Sequence, residues 1–161
     1  MKKLRMGCLV LSIVLCLGLL AGCGGAVRND VPAADVAAAM RTAVGMEDRL
    51  VSMDGTFLGL MGKTAEDLGE HEILVSNGTT IDEVGVFKAG TMTAAELKTL
   101  AEDYLKVYME KRWPMVELYN PDEKPKLTDA EVKVLGDYVM YSILSESDRA
   151  AAAKAFENAL K

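Results

Sequence analysis

Cysteine, histidine and tryptophan are scarce in this chain. All three cysteines fall within the first 23 residues, and His71 and Trp113 are the only residues of their kinds. With one imidazole and no later thiol, zinc would depend on carboxylates, an unusual ligand set. Neither a disulfide framework nor a thiolate nucleophile can be built beyond residue 23. Basic residues are outnumbered, 18 Lys and Arg against 24 Asp and Glu. That balance argues against a nucleic-acid surface, which needs clustered cations to neutralise phosphates, and against binding to anionic headgroups. Nucleophile elbow, P-loop and dinucleotide fingerprint are missing too. So is the alternating oxygen-ligand loop that calcium requires. The expectation is a chain without catalytic residues, metal or cofactor.

Long hydrophobic runs are confined to one place. Cys8 to Leu20 is apolar apart from Ser12 and Gly18, and it follows the positive Lys2, Lys3 and Arg5. The run is too short for a comfortable membrane span, which takes about 20 residues, and it fits the core of an export signal. It ends in Leu20-Ala21-Gly22-Cys23, which resembles the bacterial lipoprotein lipobox in all four positions. Small residues there let the backbone enter a peptidase groove, and the ionised thiol is the nucleophile that takes the diacylglycerol. The expectation is cleavage between Gly22 and Cys23 and lipidation of Cys23. Each buried methylene of its acyl chains, palmitate among them, contributes about 0.8 kcal/mol to membrane retention.

Three segments follow from this reading: residues 1–22 as signal peptide, 23–34 as a lipidated tether, and 35–161 as a single α+β domain. The signal removes three basic residues and no acidic ones, so the domain is more acidic than the whole chain's −6. Its length suffices for one core and is short for two.

Within the domain, Asp35 to about Arg49 carries apolar positions at helical spacing. Val51 to Leu68 is interrupted by Gly55, Gly59 and Gly62 and has no clear period. Glu72–Val75 and Asp82–Lys88 read as an antiparallel pair around Asn77-Gly78. Thr93-Ala94-Ala95-Glu96 is a capping box. The helix it opens should present Leu97, Leu100, Ala101, Tyr104, Leu105 and Tyr108 on one side and stop near Arg112 or Trp113, ahead of Pro114. Tyr119–Lys126 reads as a loop. Glu131–Leu135 and Tyr138–Leu144 make a hairpin around Gly136-Asp137, and Ser145 or Ser147 caps a last helix. The predicted fold is a four-stranded antiparallel sheet with its helices on one face, ββαββα preceded by an N-terminal helix.

Asp82-Glu83-Val84-Gly85-Val86-Phe87-Lys88, the Tyr119-Asn120-Pro121-Asp122-Glu123 loop and Gly136-Asp137-Tyr138-Val139, in that order around the long helix, resemble a family of small uncharacterised lipoproteins of clostridial-type, Gram-positive bacteria. The likeness runs from about residue 35 to the C-terminus, with Gly85 where an alanine is more typical. It implies a lipid-anchored location and a domain of unknown function, and it brings no functional residues to carry over.

Few residues stand out as candidates. His71 lies between Glu70 and Glu72, but neighbours on a strand point to opposite faces, so the three would not converge. The pairs Asp82-Glu83, Glu102-Asp103 and Asp122-Glu123 read as exposed charges that keep the domain soluble. Met40, Met46, Met53 and Met61 read as gap-fillers of a core. Two apolar groups are candidate interaction surfaces: Phe57, Leu58, Leu60 and Met61, and Trp113, Met115 and Tyr119. If buried, the first would instead close one end of the sheet and the second would lid a helix end.

Together these features suggest a lipoprotein held by Cys23 on the extracytoplasmic face of the cell membrane, serving as a non-catalytic interaction or accessory module with an envelope protein as partner. A small-ligand-binding lipoprotein is the alternative, and a carboxylate-dependent envelope hydrolase a third.

Overall fold

Two neighbouring strands in the interior of the sheet are buried on both faces, and that fixes the architecture. In the computed structural model, which describes residues 26–161, five strands form one antiparallel sheet: β1 (Leu50–Ser52), β2 (His71–Ser76), β3 (Glu83–Lys88), β4 (Glu131–Leu135) and β5 (Tyr138–Ile143). Their spatial order is β1-β2-β3-β5-β4. The two hairpins β2–β3 and β4–β5 join where β3 lies along β5, with Glu83 opposite Ile143 and Lys88 opposite Tyr138. Every residue of β5 is buried, and all of β3 but Lys88. A strand whose side chains are buried on both faces needs cover on both.

Six helices among the described residues supply it: α1 (Ala33–Ala43), α2 (Gly55–Met61), α3 (Ala65–Leu68), α4 (Ala94–Tyr119), α5 (Lys124–Thr128) and α6 (Glu146–Ala159). On one face α1 and α6 lay Val36, Ala37 and Met40, with Ala152 and Phe156, over Leu74, Val84, Val86, Tyr138 and Met140. On the other, α4 sets Leu97, Ala101, Tyr104 and Tyr108 over Ile73, Phe87, Val139, Tyr141 and Ile143, joined by Phe57, Leu68 and Leu127 from the short helices. The α+β class and both hairpins agree with the sequence pattern. The four-stranded sheet and the single helical face do not. Three-residue β1 adds a fifth strand at one edge by pairing with Leu74–Ser76, and α1 packs opposite α4 because Val84 and Val86 need burial as much as Phe87 does.

Segment boundaries shift as well. The N-terminal helix closes at Val44, followed by Gly45 at φ 63°, where a side chain would be strained. The predicted tether through residue 34 overlaps the domain. Val31 and Ala33 are buried, Arg28 N donates to the Leu160 carbonyl at 2.9 Å, and the Tyr138 hydroxyl donates to the Val31 carbonyl at 2.6 Å. Pro32 cannot cap α1 with a side chain. The Glu70 carboxylate accepts from Ala33 N at 2.8 Å instead, and that bond holds the Glu70 carboxyl below its usual range.

The Thr93–Glu96 box forms as the sequence predicts, with Thr93 Oγ1 accepting from Glu96 N at 3.3 Å and Glu96 accepting from Thr93 N at 2.8 Å. Helix α4 then continues past Pro114 to Tyr119. Proline removes one helical hydrogen bond, to the carbonyl of residue i−4. Here that carbonyl belongs to exposed Glu110, on the side open to water. Beyond it Val116 is buried, Lys124 binds Glu117 at 2.9 Å, and Asn120 Nδ2 donates to the Thr79 carbonyl at 3.2 Å. These contacts hold the last turns. The predicted loop over Tyr119–Lys126 is accordingly the end of α4, a 3-10 turn over Pro121–Glu123 and the first residues of α5. No helix among the described residues is long and apolar enough to cross a membrane.

Candidate functional site

The acidic pair Asp82-Glu83, expected at the surface, is buried, and its two members are the buried charged residues among the described residues. Glu83 opens β3 on the same face as Gly85 and Phe87 and is 1% exposed. Its Oε1 accepts from the Tyr104 hydroxyl at 2.7 Å and from the Tyr141 hydroxyl at 2.6 Å, while Oε2 is buried without a partner. One carboxyl thus joins α4, β3 and β5. Burial pushes the Glu83 carboxyl above its ordinary range, against the two hydroxyl bonds and the Arg112 charge, which pull it down. The surrounding phenols are driven upward by burial and by Glu83, Tyr108 to about 12 and Tyr104 and Tyr141 further still. Tyr104 and Tyr141 stay neutral and donate to Glu83.

Asp82 and its neighbours form a second polar contact just before the strand. Lys126 Nζ lies 2.7 Å from Asp82 Oδ1 and 2.8 Å from Glu123 Oε1, and Glu123 Oε2 also accepts from Ile81 N at 3.1 Å. The pair is nearly dry, with 3% of the Asp82 side chain and 13% of the Lys126 side chain exposed. It clamps the β2–β3 connection onto α5. Glu102 and Asp103 do lie on the surface of α4, paired with Lys98 and Lys106, and Asp122 is exposed.

This arrangement does little chemistry as it stands. Hydrolysis by a carboxyl pair needs a water or sugar between two groups facing one cleft. Glu83 is closed in by tyrosines and Asp82 is occupied by Lys126. His71 turns its Nδ1 to the Gly69 carbonyl at 2.8 Å and its Nε2 to Asp54 Oδ2 at 3.5 Å, with Phe87 beside its ring. Glu70 binds Ala33 and Lys88 instead, so the Glu-His-Glu run does not converge. No group of three His, Cys, Asp or Glu side chains among the described residues could hold a metal ion.

The apolar candidates separate. Phe57 is core: its ring lies 4.5 Å from Tyr104, 5.1 Å from Phe87 and 5.8 Å from Tyr141. Leu58, Leu60 and Met61 are half-buried against the same cluster. Phe57 therefore cannot serve as a surface contact, and this group closes the sheet on the α4 side. The second group is open. Met115 is 58% exposed and Tyr119 66%, and Leu118, missed in the sequence reading, is 70% exposed between them. Trp113 is half-buried, with Lys124 Nζ over its ring at 5.3 Å. Beside it, a groove of 470 Å³ runs between α4 and α5, lined by Met109, Glu110, Trp113, Pro114 and Thr128. Leu118 was hidden by the expectation that Pro114 ends the helix. Only a continuing helix puts it on one surface with Met115 and Tyr119. The lipobox residues Gly22 and Cys23 lie outside the described residues.

Compared with known proteins, the chain matches no family model, no curated protein and no solved structure.

Proposed function

We propose that this chain is a lipoprotein anchored through Cys23 to the extracytoplasmic face of the membrane, and that its domain is a non-catalytic interaction module of the cell envelope. Its partner surface is the end of α4, formed by Trp113, Met115, Leu118 and Tyr119. The observation that carries this reading is the exposure of three large apolar side chains together at that helix end. A cluster of this kind on an otherwise acidic domain is a common mark of a protein contact, and aromatic residues are frequent anchors of such contacts.

Placement supports the reading. The polypeptide enters the domain on the α1–α6 side, where Val27 meets Gly136 and Arg28 binds Leu160. Helix α4 lies on the other face, and its 26 residues extend about 39 Å at 1.5 Å per residue. Its far end reaches Thr79 in the β2–β3 connection. An anchor near residue 23 therefore leaves the Met115–Tyr119 surface directed away from the bilayer.

A photo-crosslinking residue at Leu118 in the full chain, expressed in cells, tests the surface, with the same residue at Lys154 on exposed α6 as control. A discrete protein adduct from position 118 alone is the expected result. Equal adducts from both positions, or none from 118, would sink the proposal. For the anchor, Cys23→Ala should release the protein from the membrane fraction; retention would overturn it. The α4–α5 groove favours a second reading, a small apolar ligand. Thermal stabilisation of the full chain by apolar compounds, abolished by Trp113→Ala, would support that instead.

A further inference from the structure

We propose that β4 is a self-pairing edge, and that two copies of this chain join there into one continuous ten-stranded sheet with Val132 facing Val132 across the two-fold axis. Among the described residues strand β4 ends the sheet and pairs only with β5. Its turn has two residues, so Leu135 and Tyr138, which flank it, form a hydrogen-bonded pair. Lys133 and Glu131 then also turn their main-chain groups inward to β5, and Val132 and Val134 turn theirs outward. An edge with free donors and acceptors is a template for another strand. No proline interrupts this one.

The occupant follows from the side chains. An antiparallel second copy centred on Val132 sets Glu131 opposite the other copy's Lys133 and Lys133 opposite its Glu131. Neither residue has an ion pair among the described residues, and opposite charges placed across strands attract. Shifting the centre to Lys133 would bring two lysines face to face. The same register sets Val134 opposite the other copy's Ala130. Val134 is 43% exposed, unusual for a strand valine in this sheet. On the same face, a groove lined by Glu102, Leu105, Lys106, Ala130 and Val132 stands open beside the edge. The second copy's Val134 would enter it and pack against Leu105. One register therefore satisfies the charges, the exposed valine and the groove together.

The symmetry axis is normal to the sheet, so both copies keep α1 and α6 on one side and α4 on the other. This pairing is independent of the interaction surface proposed for α4 and of lipidation, though it leaves both N-terminal segments on the same side of the sheet.

Cysteine coupling in the full chain, in membranes and in detergent, tests the register, with unsubstituted protein setting the background. With a short thiol-to-thiol crosslinker Val132→Cys should form a covalent dimer, because the facing Cβ atoms of a hydrogen-bonded pair lie about 5.5 Å apart, within the reagent's reach though wide for a direct disulfide. Val134→Cys should not, since position 134 faces 130. Charge provides the second arm. Glu131→Lys or Lys133→Glu should each weaken the dimer about tenfold, and the double swap, Glu131→Lys with Lys133→Glu, should restore it. A monomeric mass at all protein concentrations would overturn the proposal. So would coupling through Val134→Cys but not Val132→Cys, coupling of Val132→Cys to a different protein, or a double swap no better than the single ones.

Discussion

The ring of Tyr141 lies on the backbone of Gly85: a Cβ built at Gly85 falls 2.1 Å from Tyr141 Cε1. The two residues face each other across β3 and β5. The ring has nowhere to retreat, being fully buried and tied by its hydroxyl to Glu83 at 2.6 Å.

Gly85→Ala should therefore destabilise the domain, although alanine is a mild change elsewhere. Overpacking of this kind costs about 1–3 kcal/mol, with more where the neighbour is held. Urea unfolding of the variant against wild type measures it. Unchanged stability would mean that the Tyr141 ring moves freely.

Glu83 should make stability pH-dependent. Burial raises its folded pKa above the unfolded value of 4.5, against Tyr141, Tyr104 and Arg112. Below pH 4.5 both states hold the proton and Glu83 imposes no ionisation penalty. As pH rises toward the folded pKa, the unfolded chain gives up its proton first, so wild type loses stability. Glu83→Gln keeps an oxygen for the two phenols and cannot ionise. The stability of Glu83→Gln minus that of wild type should grow from pH 4 upward. A difference constant with pH would show that burial does not govern this carboxyl.

Lys126→Met should be costly because it leaves the Asp82 carboxylate buried with no cation. Removing one member of a buried pair costs about 3–5 kcal/mol. Adding Asp82→Asn should recover a large part of the loss. Chemical denaturation of both singles and the double separates the pair from general damage, since additive losses would mean no coupling.

Leu97 and Leu100 should differ, though both belong to the apolar stripe of α4. Leu97 is 0% exposed, whereas Leu100 is half-buried at the rim. Leu97→Ala should cost about 2–5 kcal/mol through the cavity it leaves, and Leu100→Ala clearly less. Equal losses in denaturant melts would show that the stripe is centred elsewhere.

Local signals were legible in the sequence where they are short-range. The Gly136-Asp137 turn, the Thr93–Glu96 box and the period of α4 each depend on residues within one turn of each other. Gly85 read as a departure from alanine, and its reason, a ring on the neighbouring strand, belongs to a contact across 56 positions of sequence. The second helical layer did have a signal. Val84, Val86 and Phe87, and nearly every residue of Tyr138–Leu144, are apolar, a density that one covered face does not require. Strand β1 had none, because three residues are too few to show a period.

The candidate site was harder to read for the same physical reason. An acidic pair is normally solvated, and nothing next to Asp82-Glu83 marks it as dry. Burial depends on Tyr104, Tyr141 and Lys126, which only the fold assembles. Pro114 misled differently: it disfavours helix at the residue before it, yet Trp113 stays helical, because the lost bond falls on an exposed carbonyl and Val116 anchors the turns beyond.

The pairing of α1 with α6 bears on the order in which the molecule can be completed. The entire sheet and α4 lie between these two helices in the chain, yet they share one face and each covers part of it. During synthesis the hairpins and α4 can meet as soon as β5 has emerged. Helix α1, which precedes the sheet in the chain, lacks its helical neighbour until α6 arrives. The part of that face that α6 covers, at Met140 of β5, stays uncovered longest, and it is where a nascent chain of this sequence would be most open to a chaperone or to aggregation.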